Sequence, residues 1–156
     1  MTMRVELALA PFDPAERLAE FSRTASWAGA IVSFTGLARS AARDGTLVSA
    51  LVLESYRGVT LASMQTIADD AAARFDISAA DIVHRAGTIA PGEPIVFVAT
   101  ASAHRRAAFE AADYLMDRLK TEAIFWKREE GPDGNRWIEP TAEDEADRDR
   151  WNNRQD

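Results

Sequence analysis

The sequence contains no cysteine, which removes disulfides, thiolate metal sites, cysteine nucleophiles and persulfide carriers together. Any sulfur that this protein handles must arrive on another molecule. Histidine is nearly as scarce: His84 and His104 are the only 2, too few to expect a structural zinc site. No resident metal or other cofactor is expected. Nothing approaches the run of about 18 apolar residues that a membrane span needs. The opening MTMRVELALAPFDPAERL lacks the apolar core and cleavage site of a secretory signal, so a cytoplasmic protein is expected. With a net charge of −7 the chain also lacks the broad cationic face of a general nucleic-acid binder. The last scarcity is lysine. Lys120 and Lys127 are the only lysines among 18 Lys and Arg residues. Where positive charge alone matters this sequence uses arginine, which cannot give up its proton as an amine can.

What is present fits one α+β domain: 156 residues, 47% of them hydrophobic, with strand and helix periods mixed along the chain. Residues 4–9 alternate as a strand, and Asp13-Pro14-Ala15-Glu16 starts a short helix. Residues 30–35 and 47–56 read as strands. With the Asp44-Gly45 turn between them they predict a long hairpin, and Gly36 predicts a sharp exit from the first. Thr60 is placed as the cap of a helix that buries Leu61, Met64, Ile67, Ala71 and Phe75. One strand is expected over 81–89. The nearly all-apolar run 95–100 predicts a strand covered on both faces. Ser102 is placed as the cap of the longest helix, 104–120, and a closing hairpin follows over 124–139. Beyond Pro140 an acidic tail, 141–156, is expected to be largely solvated, with at most a helical turn or two.

Three segments could carry chemistry. Ser102-Ala103-His104-Arg105-Arg106 opens the long helix, where free N–H groups and the dipole favour an anion. Exposed basic residues behind a capping serine are the plain alternative. Lys120 ends that helix, and Lys127 lies on the next strand with Phe125 and Glu129 on its face, Trp126 and Arg128 opposite. The two lysines can approach across the turn, which would lower an ammonium pKa and make a usable acid or base. Equally, Lys120 could complement the helix end while Lys127 lies along the aromatics. Finally, Gly36-Leu37-Ala38-Arg39 leaves a strand with an arginine able to fork a phosphate or carboxylate. His84 reads as a packed structural residue, and Trp27, Trp126 and Trp137 as core or interface anchors.

The ordered set FTGLAR (34–39), LESY (53–56), HRAG (84–87), SAHRRAAFEAADYLMDRLKTEA (102–123) and FWKREEGPDGNRW (125–137) resembles the MoaE family, the large subunit of molybdopterin synthase. The resemblance runs from about Ala30 to Glu139. It implies an α/β hammerhead with an appended antiparallel hairpin subdomain, in a single catalytic domain over 1–140. It also implies a homodimer with a small ubiquitin-like, MoaD-like subunit at each end, making a heterotetramer. The partner's C-terminal thiocarboxylate would enter beside Lys120 and Lys127, the implied catalytic pair, and sulfur would pass to cyclic pyranopterin monophosphate. Substrate contacts map onto Leu37, Ala38, Arg39, His104, Arg105, Lys120, Lys127, Arg128 and Glu129. One subunit is expected to complete its neighbour's pocket. Two residues depart from the family's usual pattern: Ala38 stands where valine is common. Ile124 replaces a proline, which is expected to loosen the Lys120-to-Lys127 turn. The chain ends in Asn153-Arg154-Gln155-Asp156 without a di-glycine, so the sulfur donor is expected on another chain. The rival readings are a non-catalytic anion-binding adaptor and a stand-alone phosphoester hydrolase. The adaptor leaves the lysine pair unexplained, and the hydrolase lacks a carboxylate or histidine set for a metal.

Overall fold

The structure, a computed structural model, describes residues 1–56 and 58–152. The terminal Asn153 to Asp156, read above as lacking a di-glycine, lie outside the described residues. In chain order the elements are β1 (Thr2–Ala8), α1 (Pro14–Thr24), β2 (Ala30–Leu37), β3 (Ala50–Ser55), α2 (Val59–Arg74), β4 (Ala79–Arg85) and β5 (Gly87–Ile89). There follow β6 (Pro94–Ser102), α3 (Arg105–Glu122), β7 (Phe125–Gly131), β8 (Gly134–Ile138), α4 (Ala142–Asp149) and a 3-10 turn over Arg150–Asn152.

Two four-stranded sheets result, ordered β1-β4-β6-β2 and β5-β3-β7-β8. In the first only β1 and β4 run parallel, and its faces are covered by different helices. Along β6, Val96 and Val98 join Met64, Ile67, Leu115 and Leu119 from α2 and α3. The alternate residues Phe97, Ala99 and Ala101 join Phe21 and Ala25 at α1. This explains the apolar run: with both faces buried, neither set of alternate residues can be polar. A third cluster, Ala38, Leu53 and Ile89 with Phe125 packed against it, joins the two sheets. The expected α+β fold with an antiparallel hairpin subdomain is what the chain adopts.

Several local expectations are corrected. β2 and β3 do not form a long hairpin: β2 pairs with β6 and β3 with β5 and β7. The Asp44-Gly45 turn exists, closing a small loop through the Ala41–Leu47 bridge, but the chain then diverges into separate sheets. The strand expected over 81–89 is broken at Gly87, whose φ of 94° is open to glycine and lets β5 leave for the second sheet. Gly36 is needed for space rather than for an exit. A Cβ there would come within 2.7 Å of Val96 Cγ1, beside a register shift at Gly36/Leu37.

Neither Thr60 nor Ser102 caps its helix. Gly58 and His104 occupy the cap positions without side-chain capping bonds. Thr60 is buried and donates to the Ile124 carbonyl, while Ser102 ends β6 and donates to the Asp76 carbonyl. Leu61 faces outward, at 40% exposure, where the core was expected. Trp27, Trp126 and Trp137 are exposed and therefore not core anchors of this chain. Asp13, by contrast, caps α1 as expected, accepting from Ala15 and Glu16 N–H.

Among its described residues the tail is mostly exposed, as expected, and its helix α4 is about two turns long, but it is anchored at both ends. Thr141 and Asp144 form a reciprocal capping box at the start of α4. Beyond it Trp151 is buried, edge-on to Phe75 and Tyr114. Arg74 lies against all three rings, 5.3–5.8 Å from their centroids. The tail's polar composition hides a single aromatic anchor.

Candidate functional site

α3 packs back along β6 and β2, so its C-terminus meets the end of the sheet where β2 finishes at Leu37. Ala38 clusters with Leu53 and Ile89, and Phe125, two residues before Lys127 on β7, packs against that cluster. Ala38 is buried and pinned by its backbone: its N–H reaches the Glu93 carbonyl at 2.9 Å, and Gly92 donates to its carbonyl at 2.8 Å. The turn carrying Glu93 is held in place by Arg85, a buried guanidinium 3.0 Å from the Glu93 carboxylate that also donates to the Thr88 carbonyl. Arg85 is a site-supporting residue that sequence reasoning passed over, although it stands inside the HRAG motif. Leu37 and Arg39 are exposed, and Arg39 makes no ion pair among the described residues.

Lys127 is half-buried on β7, opposite Leu53 on one side and Ile138 on the other. Burial pushes its ammonium pKa below the ordinary value, and the nearby Lys120 charge pushes the same way. Lys120 is more exposed, and its Nζ lies 3.3 Å from Asp144 Oδ1. The expected approach of the two lysines is therefore present. So is the expected structural role of His84. It is buried, donates Nδ1–H to the Arg85 carbonyl at 2.9 Å and stacks on Phe125 with centroids 4.4 Å apart. Burial, with the Lys127 charge adding to it, lowers its pKa to about 4 and keeps it neutral.

The turn between the lysines is tied to α2. Ile124 donates its N–H to Ser63 Oγ at 3.2 Å, a bond that proline could not make, and its carbonyl accepts from Thr60 Oγ1. One bond is thus donated to α2 and one accepted from it, where a proline could make only the second. Of the remaining expected contacts, Arg128 lies on the opposite face of β7 and is ion-paired with Glu54 and, at 3.6 Å, with Glu130. Glu129 is 4.0 Å from Arg136 and lines a cleft of about 400 Å³ under the β7–β8 turn with Asp44, Leu47 and Arg136. That cleft does not include either lysine.

His104 and Arg105 stand apart. They begin the helix that Lys120 ends, 15 residues from Arg105 to Lys120, or about 22 Å at the helical rise. Both are exposed, and their side chains make no ion pair among the described residues. One chain by itself does not bring them to the lysines.

The family described as MoaE protein matches residues 7–122. Over 149 residues the chain is 54% identical to the molybdopterin synthase catalytic subunit of Caulobacter vibrioides, covering 96% of this chain and 97% of that one. The chain belongs to the MoaE family. Its likeness to the molybdopterin synthase catalytic subunit of Pseudomonas aeruginosa is 42% identity, over 96% of this chain and 99% of the relative. The fold agrees with that of solved MoaE structures. The molybdopterin biosynthesis MoaE protein from Burkholderia ambifaria superimposes with a TM-score of 0.77 at 37% identity, covering 98% of this chain and 99% of that one. Molybdopterin synthase from Staphylococcus aureus superimposes with a TM-score of 0.76 at 29% identity, covering 85% and 95%. Residues 123–138, which hold Lys127 and the closing hairpin, lie beyond the family match but within the near-complete alignments. No helix among the described residues is long and apolar enough to cross a membrane.

Proposed function

We propose that this chain is the catalytic subunit of a molybdopterin synthase and carries sulfur from a partner's C-terminal thiocarboxylate to cyclic pyranopterin monophosphate, forming the dithiolene of molybdopterin. The observation that carries the chemical part is the lysine pair. A half-buried amine, Lys127, whose ammonium form is disfavoured by burial and by Lys120, can take up or release a proton closer to neutrality than a surface lysine. Arginine could not do this, and arginine is what the chain uses almost everywhere else. In this reading the two amines move protons and offset negative charge while the sulfur attacks and the phosphate ring opens. Leu37, Ala38 and Arg39 border the same end of the sheet, where Arg39 is free to fork the phosphate. The absence of cysteine fits a donor delivered by a small ubiquitin-like, MoaD-like chain.

The distance along α3 supports assembly. If His104 and Arg105 also hold the phosphate, they must come from a second copy, because their own helix keeps them about 22 Å from Lys120. Exposed Phe34, Leu37, Trp126 and Trp137 supply apolar surface of the kind that subunits cover. A homodimer with a small partner at each end, a heterotetramer, satisfies both demands. The reading is tested by incubating the purified chain with cyclic pyranopterin monophosphate, with and without thiocarboxylated partner. Dithiolene formation only with the partner is expected. Binding without turnover would point to an adaptor, and partner-free phosphate release to a hydrolase.

A further inference from the structure

We propose that Asp144, carried by the C-terminal helix α4, is a positioning residue that fixes Lys120 as the charged member of the lysine pair and leaves Lys127 as the proton acceptor. The inference rests on the catalytic reading above only for its consequence, not for its geometry.

The carboxylate is held from several sides. Its Oδ2 accepts the Thr141 N–H at 2.9 Å, and the Asp144 N–H returns a bond to the Thr141 hydroxyl at 3.1 Å. Oδ1 is thereby left to face Lys120 Nζ at 3.3 Å, with the Asp144 side chain only 12% exposed. The far end of α4 is fastened to the same helix that bears Lys120. Trp151 Nε1 donates to Asp117 Oδ2 at 2.8 Å, and Arg150 reaches Asp113 and Asp117 at 2.6 and 2.9 Å. Trp151 also enters the box formed by Phe75, Tyr114 and Arg74. Cap, anchor and lysine therefore belong to one packed unit, so the contact does not depend on a wandering tail.

Lys127 lacks such a partner: it makes no ion pair among the described residues. The charged and titratable groups that act on it are Lys120, Asp144 and the neutral His84. Burial and Lys120 lower its pKa, while Asp144 opposes them only weakly, being the last and smallest influence. On the other side of the pair, burial raises the Asp144 pKa, but the Thr141 bonds and Lys120 outweigh it and hold the carboxyl below its ordinary value. A permanently ionised carboxylate beside one amine and not the other divides two like residues into two roles. Lys120 Nζ keeps its protons and offsets negative charge; Lys127 Nζ, when neutral, accepts one.

Because the chain has only two lysines, selective 13Cε-lysine labelling gives one NMR signal for each, assigned with Lys120→Arg. In the purified chain Lys127 should titrate below the ordinary lysine range. Asp144→Asn removes the charge but leaves a carbonyl to accept the Thr141 N–H, and should shift the Lys120 signal at neutral pH by breaking its ion pair. Asp144→Glu should recover part of that shift. Thr141→Ala loosens the cap yet keeps the charge, and should move the Lys120 signal less than Asp144→Asn does. A Lys127 that titrates at or above the ordinary range in the wild type, an unmoved Lys120 signal in Asp144→Asn, or equal shifts in Asp144→Asn and Thr141→Ala would each overturn the proposal. The titration needs neither substrate nor partner, so its failure is separable from failure of the sulfur-transfer reading.

Discussion

The ring of His84 stacks on that of Phe125 at a centroid distance of 4.4 Å, tying the central strand β4 to β7 two residues before Lys127. Burial lowers the histidine's pKa to about 4 from an ordinary 6.5, so the unfolded chain binds more protons than the folded one between those values. Stability from this group is complete above pH 6.5 and is lost as pH falls toward 4, by about 3 kcal/mol in total. Urea unfolding at pH 7 and pH 4.5 should show the loss. His84→Gln, which keeps a donor for the Arg85 carbonyl, should flatten that part of the profile; an unchanged pH slope would contradict the assignment.

Ser63 is expected to stabilise the turn between the lysines through the Ile124 N–H. Ser63→Ala should cost about 1 kcal/mol and reduce turnover with little change in partner affinity. In an Ile124→Pro background, which has no N–H to donate, the same substitution should cost measurably less. Equal costs in both backgrounds, from thermal or urea unfolding, would show that the bond contributes nothing.

Trp151 should matter more than its place near the end of the chain suggests. Trp151→Ala empties the box made by Phe75, Tyr114 and Arg74 and should cost about 3 kcal/mol. Chemical denaturation that moved by less than about 0.5 kcal/mol, the range of ordinary surface changes, would mean that the tail is not part of the packed unit.

Lys120→Arg preserves the positive charge but replaces a compact ammonium, which can approach a developing anion closely, with a larger planar head. Partner binding should survive while most turnover is lost, read as a fall in kcat at saturating partner. A near-wild-type rate would show that positive charge at this position suffices, whatever group carries it.

Much of this was legible in the sequence, for identifiable reasons. The β6 run and the helical faces were readable because burial imposes a period on residue type, and Lys120 and Lys127 because arginine had displaced every other lysine. Strand partnership was not. Nothing local distinguishes β2 turning onto β3 from β2 pairing with β6, since only the third dimension decides which edge is free. The break at Gly87 was hidden because a glycine in an apolar stretch gives no sign of its φ. Thr60 and Ser102 looked like caps since threonine and serine before a helical period usually are; here long-range carbonyl acceptors at Ile124 and Asp76 took their hydroxyls. Asp144 and Trp151 were lost in an acidic composition. The capping box Thr141-x-x-Asp144 was the available signal, with an aspartate standing where glutamate is usual.

In the assembly proposed above, one working pocket needs Lys127 from one copy and Arg105 from another. The measurement is complementation between two inactive chains, Lys127→Ala and Arg105→Ala, mixed under conditions that exchange subunits, with thiocarboxylated partner and cyclic pyranopterin monophosphate present. A mixed dimer has one pocket with both defects and one with neither, and random exchange makes about half of the dimers mixed. Turnover should therefore return to about one quarter of the wild-type rate. Recovery near that level is expected. No recovery, with subunit exchange confirmed by mass spectrometry of the intact assembly, would contradict it.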